Sequence, residues 1–395
     1  MINIDSPSQC SGCTACASVC GHKAIEMVPD VLGFRYPHVD PDKCVDCGLC
    51  DRVCPFNDDY DTAGNFDEPK AIGARLKDEE LLAMSQSGGA FVALSDVVLA
   101  NGGVVYGVGF DDDLRAVHKR VTTRAERDAL RGSKYVQSEL NDTLISVRND
   151  LISGLTVMFT GTPCQTAGVH AFVPPRLRAN LILVDLVCHG VPSPAVWSEY
   201  LEWIESKHKD KISSAIFRNK KKFTWHRSKE TYRFLHKPEI DMTSFSYLFY
   251  ARVCQRESCF ECKFCNTRRP SDLTIGDFWG VEKVNPQLAS DEKGVSLILI
   301  NSAKGDELFR KAEKKMTTFT SRIEDVLQPN LREPSERPMN RTAFETDFAG
   351  RGVYYVMKKY GQDGLAFKTK KTVRRMLRLP IGVLRRVKKL LIPEK

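Results

Sequence analysis

Residues 44–55, CVDCGLCDRVCP, place four cysteines within twelve positions and end in a proline. The same spacing, Cys-x2-Cys-x2-Cys-x3-Cys, occurs upstream over residues 10–20. A loop with ligands three residues apart can wrap three corners of a [4Fe-4S] cubane, whereas the fourth thiolate lies too far along the chain and reaches a second cluster. We therefore expect two clusters that exchange their fourth ligands. One is held by Cys10, Cys13, Cys16 and Cys54, and the other by Cys44, Cys47, Cys50 and Cys20.

Structural zinc is the alternative use of these cysteines. A zinc ion takes four ligands in a tetrahedron, typically from separated Cys-x2-Cys pairs, so the third closely spaced cysteine of each run would be surplus. Residues 1–57 accordingly resemble a two-cluster bacterial-type ferredoxin. One departure is Gly21, where that family usually has a proline after the fourth cysteine, but this change removes no ligand.

The composition is typical of a globular chain with two or more domains. Of its 395 residues, 42% are hydrophobic and 27% are charged. No stretch reaches the roughly 18 consecutive apolar residues of a membrane span, and the first residues lack the pattern of an export signal. We therefore expect a cytoplasmic protein whose fourteen cysteines serve metal binding or redox chemistry rather than disulfides.

The net charge of +8 is concentrated at the C-terminus. Residues 366–395 contain eleven Lys or Arg and one acid, so the rest of the chain has a net charge of −2 and nucleic acid is not an expected partner. Apolar and basic residues recur there at helical spacing, at Val383, Leu384, Val387, Leu390 and Leu391 and at Arg385, Arg386, Lys388 and Lys389. This pattern predicts an amphipathic helix in peripheral contact with the inner face of the cell membrane. A solvated terminus and a helix docked on an acidic partner are the alternatives.

Three further segments are predicted between these ends. Residues 58–69 are acidic and contain Gly and Pro, which indicates a linker. Over residues 70–335, apolar β-branched runs such as VVYGVGF (104–110) alternate with stretches of helical periodicity. The predicted fold class is therefore α/β or α+β: a small ferredoxin-like domain, a larger mixed domain with a mostly buried sheet, and a helical extension over residues 336–395.

Short motifs occur in a consistent order within residues 70–335. They are SQSGGAF (85–91), GSKYVQS (132–138), GTPCQ (161–165), CHGVPSP (188–194), SCFEC (258–262) and DLTIGDFWG (272–280). Together they resemble the coenzyme F420 hydrogenase/dehydrogenase beta-subunit family, in which an N-terminal two-cluster ferredoxin is a known arrangement. The resemblance implies an iron-sulfur flavoprotein that binds FAD and holds a third [4Fe-4S] cluster close to it.

The resemblance also implies site residues. Cysteines within the motifs would hold the third cluster: Cys164, Cys188, Cys259 and Cys262. A local set that uses Cys254 or Cys265 is one alternative, and a zinc site in the run 254–265 is another. For FAD, the motifs indicate a backbone nest for phosphate, a cation with a stacking ring and a strand-end loop, at Ser87, Gly88, Gly89, Gly132, Ser133, Lys134, Tyr135, Gly161, Thr162 and Pro163. His189 and Asp277 are ambiguous, and no catalytic residue is assigned.

These parts together predict an iron-sulfur and flavin-dependent oxidoreductase. Clusters pass single electrons, whereas organic substrates exchange electron pairs or hydride, and a flavin mediates between the two. Electrons from reduced ferredoxin or a similar donor would pass through the clusters and FAD to an organic substrate, or flow in reverse; cell-surface polysaccharide metabolism is one setting for such a reaction. The alternatives are a non-catalytic electron-transfer subunit that docks on a separate catalytic partner, and a coenzyme F420-dependent dehydrogenase subunit.

Overall fold

The computed structural model describes residues 2–57, 60–62 and 64–361. Its N-terminal unit consists of two short helices and a hairpin, namely α1 (Ala15–Val19), α2 (Leu49–Arg52) and the antiparallel strands β1 (Ile25–Pro29) and β2 (Arg35–Val39). A unit of this size cannot bury a large apolar core, so groups bound by its cysteines are expected to supply much of its stability.

The strands of the larger unit form two sheets. In chain order they are β3 (Asn65–Leu76), β4 (Val104–Phe110), β5 (Ala116–Val121), β6 (Val157–Gly161), β7 (Leu181–Leu186), β8 (Ile212–Ile216), β9 (Glu230–Phe234), β10 (Ile240–Met242), β11 (Leu273–Asp277), β12 (Ser296–Ser302) and β13 (Met316–Ser321). The central sheet has the order β13-β3-β12-β11-β7-β6-β4-β5. Its middle strands β11, β7, β6 and β4 are parallel, whereas the outer pairings are antiparallel. Strands β8 to β10 form a small antiparallel sheet.

Helices cover both faces of the central sheet. They are α3 (Glu79–Ala83), α4 (Ala90–Ala100), α5 (Arg124–Asp128), α6 (Thr143–Ile152), α7 (Pro163–Phe172), α8 (Pro194–His208), α9 (Ser244–Ala251), α10 (Val281–Val284), α11 (Pro286–Ala289), α12 (Ala303–Glu313), α13 (Ile323–Val326) and α14 (Arg341–Lys359). Alternate residues of β6 point to opposite faces, so that Met158 packs with α4 and α12 and Phe159 packs with α6 and α7. The sheet is therefore buried on both sides, as its β-branched runs predict.

A second core lies around Trp197 of α8, which is almost fully buried. Its ring contacts Phe217, Tyr232 and Phe245 from the small sheet and its neighbouring elements. Helix α14 contributes Phe344 to the same core. The described part of the C-terminal extension is thus packed against the larger unit rather than separate from it.

The mixed α/β architecture is confirmed, but the predicted linker is wrong over its second part. Residues 65–69 begin β3, and Asn65 lies opposite Ser302 of β12. Three of these five residues are exposed, and the segment NFDEP lacks the β-branched run by which the later strands are recognised. The predicted basic tail lies outside the described residues. Within the described ranges, no helix is long and apolar enough to cross a membrane.

The N-terminal unit docks on the start of α8. The carbonyl of Leu32 accepts hydrogen bonds from the Ser193 hydroxyl and, at 3.1 Å, from the Ala195 amide. Gly33 has a φ of +78°, and a Cβ at this position would lie 2.9 Å from the Ala195 nitrogen. Glycine therefore permits both the turn and the close approach of the two units.

Candidate functional site

The structure brings the eight N-terminal cysteines together as two groups of four. One small cavity is lined by Cys10, Cys13, Cys16 and Cys54. A second is lined by Cys44, Cys47, Cys50 and Cys20. Each group therefore combines three cysteines of one run with the last cysteine of the other, which is the exchange that the spacing predicts. We call these groups site I and site II.

The two cysteine loops share a backbone conformation. Left-handed residues occupy equivalent positions, Gly12 (φ 71°) and Thr14 (φ 62°) in the first loop and Asp46 (φ 49°) and Gly48 (φ 71°) in the second. Such conformations turn successive amide groups toward one centre and are common around iron-sulfur clusters. In the first loop, the Gly12 amide donates to Cys10 Sγ at 3.4 Å.

The donor atoms of site I fit a positively charged metal core. Burial raises the pKa of Cys13 to about 12, and the neighbouring thiols add to the effect. Burial likewise raises the pKa of Cys54, with a further contribution from Cys10. Thiolates crowded into apolar surroundings need a compensating cation, and iron supplies it while the thiols release their protons.

We predict that Cys54→Ala damages the cluster at site I and leaves the cluster at site II in place, whereas Cys20→Ala does the reverse. The reason is that Cys54 lines the cavity of the first cysteine run and Cys20 lines the cavity of the second. Each variant should lose up to about four irons per chain. Electron paramagnetic resonance of the reduced protein would identify the surviving signal. A Cys54→Ala protein that loses site II would contradict the exchange.

A third group of cysteines lies in the larger unit. Cys164 is in the first turn of α7, and Cys188 follows β7. Burial raises the pKa of Cys188 well above its usual value, and Cys259, Cys164 and Cys262 contribute through their charges. Burial also raises the pKa of Cys164 to about 11. Among the neighbouring charges, that of Cys262 contributes most to this rise. The four cysteines implied by the family resemblance are therefore near enough for their charges to interact; we call them site III.

The structure distinguishes between the alternative ligands for site III. Cys254 is fully buried in the Trp197 core, and no other cysteine contributes to the rise of its pKa to about 12. Cys265 forms a hydrogen bond with Cys262 and therefore stays an alternative ligand. A zinc site in the run 254–265 also stays an alternative.

A buried ion pair connects two segments of site III. Asp185, near the end of β7, accepts a 2.9 Å bond from Arg269, and both side chains are about 1% exposed or less. The same guanidinium donates to the carbonyls of Phe264 and Leu186. Arg269 thus fixes the segment after Cys262 against the strand that precedes Cys188.

We predict that Asp185→Asn destabilises the fold by about 3 to 5 kcal/mol, because it leaves the buried Arg269 charge without its partner. Urea unfolding of the iron-loaded protein would measure the change. Glu307→Gln is the matched control, since its pair with Lys311 is exposed and its loss should cost less than about 0.5 kcal/mol. Equal effects of the two substitutions would contradict the prediction.

Sites I and III are neighbours across the contact between the two units. A Cβ at Gly168 of α7 would lie 2.9 Å from Cys13 Sγ, and Cys164 contributes through its charge to the raised pKa of Cys13. Site I also shares a small apolar core with site II through Cys16 and Cys50. The three groups therefore follow one another in the order II, I, III.

A buried arginine joins site I to the larger unit. Arg256 is 1% exposed and donates to the carbonyls of Cys10 at 2.7 Å and Arg35 at 2.9 Å. It also contacts the Gln137 amide oxygen, lies over the Tyr36 ring, and places Nη2 3.6 Å from Cys10 Sγ. No carboxylate forms an ion pair with it among the described residues. The sequence motifs did not single out this residue, because its partners lie up to 246 positions away.

A cavity of about 350 Å³ opens at the carboxyl ends of the parallel strands. Residues that end or follow β6, β7 and β11 line it, including Gly161, His189 and Asp277. His189 directly follows Cys188 of site III, and burial lowers its pKa. Strand ends of a parallel sheet commonly bind ligands, so this position agrees with the predicted crevice.

The structure brings six of the ten predicted FAD-binding residues to this cavity. They are Ser87, Gly89, Gly132, Ser133, Tyr135 and Gly161. Gly88 packs instead against the Ala74 carbonyl, and Thr162 and Pro163 begin α7. Lys134 does not line the cavity either, because its ammonium donates to the carbonyls of Leu130, Arg131 and Gly132.

The cavity also contains residues that the motifs did not indicate. Arg218 forms an ion pair with Asp277, and Tyr135 stacks on Phe249 at a ring separation of 4.5 Å. Three residues that line the cavity each have a buried donor atom with no hydrogen-bond partner in the described residues: Gln86 Nε2, Arg131 Nη1 and Arg218 Nε. Unpaired buried donors are costly, so the site fits a flat ligand rich in acceptor atoms, such as a flavin or deazaflavin ring.

The exchanged cysteines define the N-terminal unit as a ferredoxin-type iron-sulfur module attached to a mixed α/β domain. Comparisons with known families agree with this class. Residues 9–57 match the 4Fe-4S dicluster domain, and residues 154–326 match the model that describes the C terminus of the coenzyme F420 hydrogenase/dehydrogenase beta subunit. The resemblance is thus confirmed: the chain matches the model of that family behind a dicluster domain. The dicluster match supports the N-terminal clusters, whereas the comparisons do not support FAD.

Individual relatives match only parts of the chain. An uncharacterized polyferredoxin-like protein of Methanocaldococcus jannaschii is 41% identical over 54 residues, which are 12% of this chain and 32% of that protein. The F subunit of the F(420)H(2) dehydrogenase of Methanosarcina mazei is 24% identical over 191 residues, 45% of this chain and 53% of that protein. The chain thus matches about a third and about half of the length of these relatives.

One similar solved structure is a chain of the F420-reducing [NiFe] hydrogenase complex from Methanosarcina barkeri. The similarity covers 77% of this chain and 96% of that chain, with 18% identity and a TM-score of 0.45.

Proposed function

We propose that this protein is an iron-sulfur electron-transfer subunit of a coenzyme F420-linked oxidoreductase. The observation that carries the proposal is the continuity of site III with the cavity: Cys188 is followed directly by His189, which lines the cavity, and Gly161 lies three residues before Cys164. A cluster at site III would therefore lie beside any ring bound in the cavity. Sites I and II extend the same series of one-electron carriers away from it.

The choice of coenzyme F420 rests on the comparisons. The matching family is described by that coenzyme, and the relative from Methanosarcina mazei belongs to an F(420)H(2) dehydrogenase. These findings favour the coenzyme F420-dependent alternative over the flavin-based interpretation. FAD is the second candidate for the cavity. It is favoured by the need for a group that accepts electrons singly and delivers them in pairs.

The protein's own residues have separate tasks in this proposal. Thiols of sites I to III hold the clusters, and the unpaired donors of Gln86, Arg131 and Arg218 orient the ligand ring. Cys47 of site II is exposed, so electrons would be exchanged there with a ferredoxin-like donor or a partner subunit. Electrons can flow in either direction along the series, depending on the reduction potentials.

Anaerobic purification with joint quantification of iron, sulfide, zinc, flavin and deazaflavin tests the proposal. We expect roughly twelve irons per chain, corresponding to three cubanes. Loaded with FAD, which accepts the hydride of reduced coenzyme F420 and passes its electrons on singly, the protein should show rapid cluster reduction on mixing with that coenzyme. About eight irons, or clusters that stay oxidised with reduced coenzyme F420, would contradict it. Stoichiometric FAD together with turnover of another organic substrate would instead support the flavin-based alternative.

A further inference from the structure

A threonine hydroxyl contacts one of the site III thiols. Thr162 directly precedes α7, and its Oγ1 lies 3.1 Å from Cys164 Sγ and 3.1 Å from Gln165 Oε1. Thr162 is one of the predicted FAD-binding residues, but it does not line the cavity. Its hydroxyl is directed instead to the sulfur and to an amide oxygen. A hydroxyl has only one proton to donate, so these two acceptors compete for it.

A chain of buried side chains fixes the orientation of the Gln165 amide. Burial lowers the pKa of His118 to about 4, so its ring is neutral near neutral pH. His118 Nε2 lies 3.1 Å from the Thr160 carbonyl, which can only accept, so Nε2 carries the proton and Nδ1 accepts from the Ser138 hydroxyl. The Ser138 oxygen in turn accepts from Gln165 Nε2 at 3.0 Å. Gln165 Oε1 is therefore the amide atom that faces Thr162.

A cluster at site III changes what the Cys164 sulfur can do. A free thiol can donate or accept a hydrogen bond, whereas a thiolate bound to iron can only accept. With a cluster bound, the Thr162 hydroxyl is therefore the donor in its contact with Cys164. Reduction adds negative charge to the cluster and its sulfurs, so this hydrogen bond is stronger in the reduced state. Hydrogen bonds to cluster sulfurs accordingly raise the reduction potential.

We propose that Thr162 raises the reduction potential of the site III cluster by donating to Cys164, and that Gln165 is a positioning residue that limits this donation by competing for the same proton. The inference rests on the proposed function, because it assumes a cluster at site III, and it adds how that site is tuned. Cys164 is also the site III thiol whose charge acts on Cys13 of site I. The hydrogen bond therefore acts on electron transfer between these two sites.

Helix capping is the alternative role of the Thr162 hydroxyl. Threonine is a common N-cap residue, and Thr162 occupies the N-cap position of α7. A cap stabilises the helix equally in both redox states. Its loss would therefore lower the stability of the protein without moving the potential of a cluster, so the potential distinguishes the two roles.

Redox titration of the full-length, iron-loaded protein, followed by electron paramagnetic resonance, tests the proposal. The signal that Cys188→Ala lacks identifies site III. T162V removes the hydroxyl with little change of shape, T162S retains it, and Q165L removes the competing oxygen. T166V is the matched control, because Thr166 lies on the same helix and its buried hydroxyl donates to the Pro163 carbonyl at 2.9 Å rather than to sulfur. Iron content and thermal unfolding are measured for each variant.

We expect T162V to shift the one-electron equilibrium between sites III and I about tenfold toward site I, the size of one net hydrogen bond, which corresponds to about 59 mV. T162S and T166V should shift it less than about twofold, and Q165L should shift it toward site III. Equal potentials in T162V and T166V, or shifts of the same sign in T162V and Q165L, would overturn the proposal. With about twelve irons present, such a result leaves the proposed function intact, whereas about eight irons in the unsubstituted protein would overturn both.

Discussion

Replacing Cys188 by alanine is expected to remove about four irons per chain and to slow electron transfer between the N-terminal clusters and the cavity by about a hundredfold or more. The charge of Cys188 interacts with those of Cys164, Cys259 and Cys262 at site III, and the next residue, His189, lines the cavity. In the proposed function, the loss of Cys188 removes a ligand of the cluster that connects the N-terminal clusters with the cavity. Iron analysis and stopped-flow reduction of the clusters by reduced coenzyme F420 would measure the two effects.

Cys254→Ala is the matched control for this experiment. Cys254 belongs to the same cysteine-rich run but lies in the Trp197 core, so its substitution should cost about 1 to 2 kcal/mol of stability without loss of iron. Cys265→Ala tests the remaining alternative, in which Cys265 is a ligand at site III. We expect this variant to keep the full iron content. A loss of iron in Cys254→Ala or Cys265→Ala, with Cys188→Ala unaffected, would show that a local ligand set is used instead.

Sites I and II could be predicted from the sequence because their geometry is local. Three of the four cysteines in each group lie within seven residues, so the spacing alone fixes which thiols can meet. Site III is different. Its cysteines come from α7, from the loop after β7 and from the segment after α9, and only the order of the strands in the sheet brings these together. Spacing alone could not distinguish Cys254 from Cys259.

The cavity could be located but not described from the sequence. Strand ends place Gly161 and Asp277 at one edge of the sheet, which is a general property of parallel strands. The direction of a side chain depends on its hydrogen-bond partners, which the sequence does not show. Lys134 lies between Ser133 and Tyr135, which both line the cavity, but its ammonium donates to backbone carbonyls and does not line the cavity. The sequence did not indicate Arg218 as a cavity residue, because Arg218 belongs to a basic run and such runs are usually exposed.

Replacing Arg256 by glutamine is expected to lower the reduction potential of the site I cluster by about 100 mV. Arg256 Nη2 lies 3.6 Å from Cys10 Sγ, and among the described residues no carboxylate forms an ion pair with the guanidinium. A reduced cluster carries one more negative charge than an oxidised one, so a nearby cation favours reduction and its removal lowers the potential. A unit charge about 6 Å from the cluster at an effective dielectric constant of about 20 contributes roughly 3 kcal/mol, which corresponds to about 100 mV for one electron. Redox titration followed by electron paramagnetic resonance would measure the shift.

Arg256→Lys distinguishes the charge from the contacts. Lysine keeps the positive charge but cannot donate to Cys10, Arg35 and Gln137 together, so the potential should change by less than about 30 mV, while the contact between the two units weakens by about 1 to 3 kcal/mol. The site II cluster is an internal reference whose potential should not move in either variant. Equal potential shifts in Arg256→Gln and Arg256→Lys would mean that Arg256 acts on site I only by positioning the N-terminal unit. A shift confined to Arg256→Gln would instead identify the buried guanidinium as the counter-ion of the cluster, so that the contact that docks this unit also sets the potential at which electrons cross to site III.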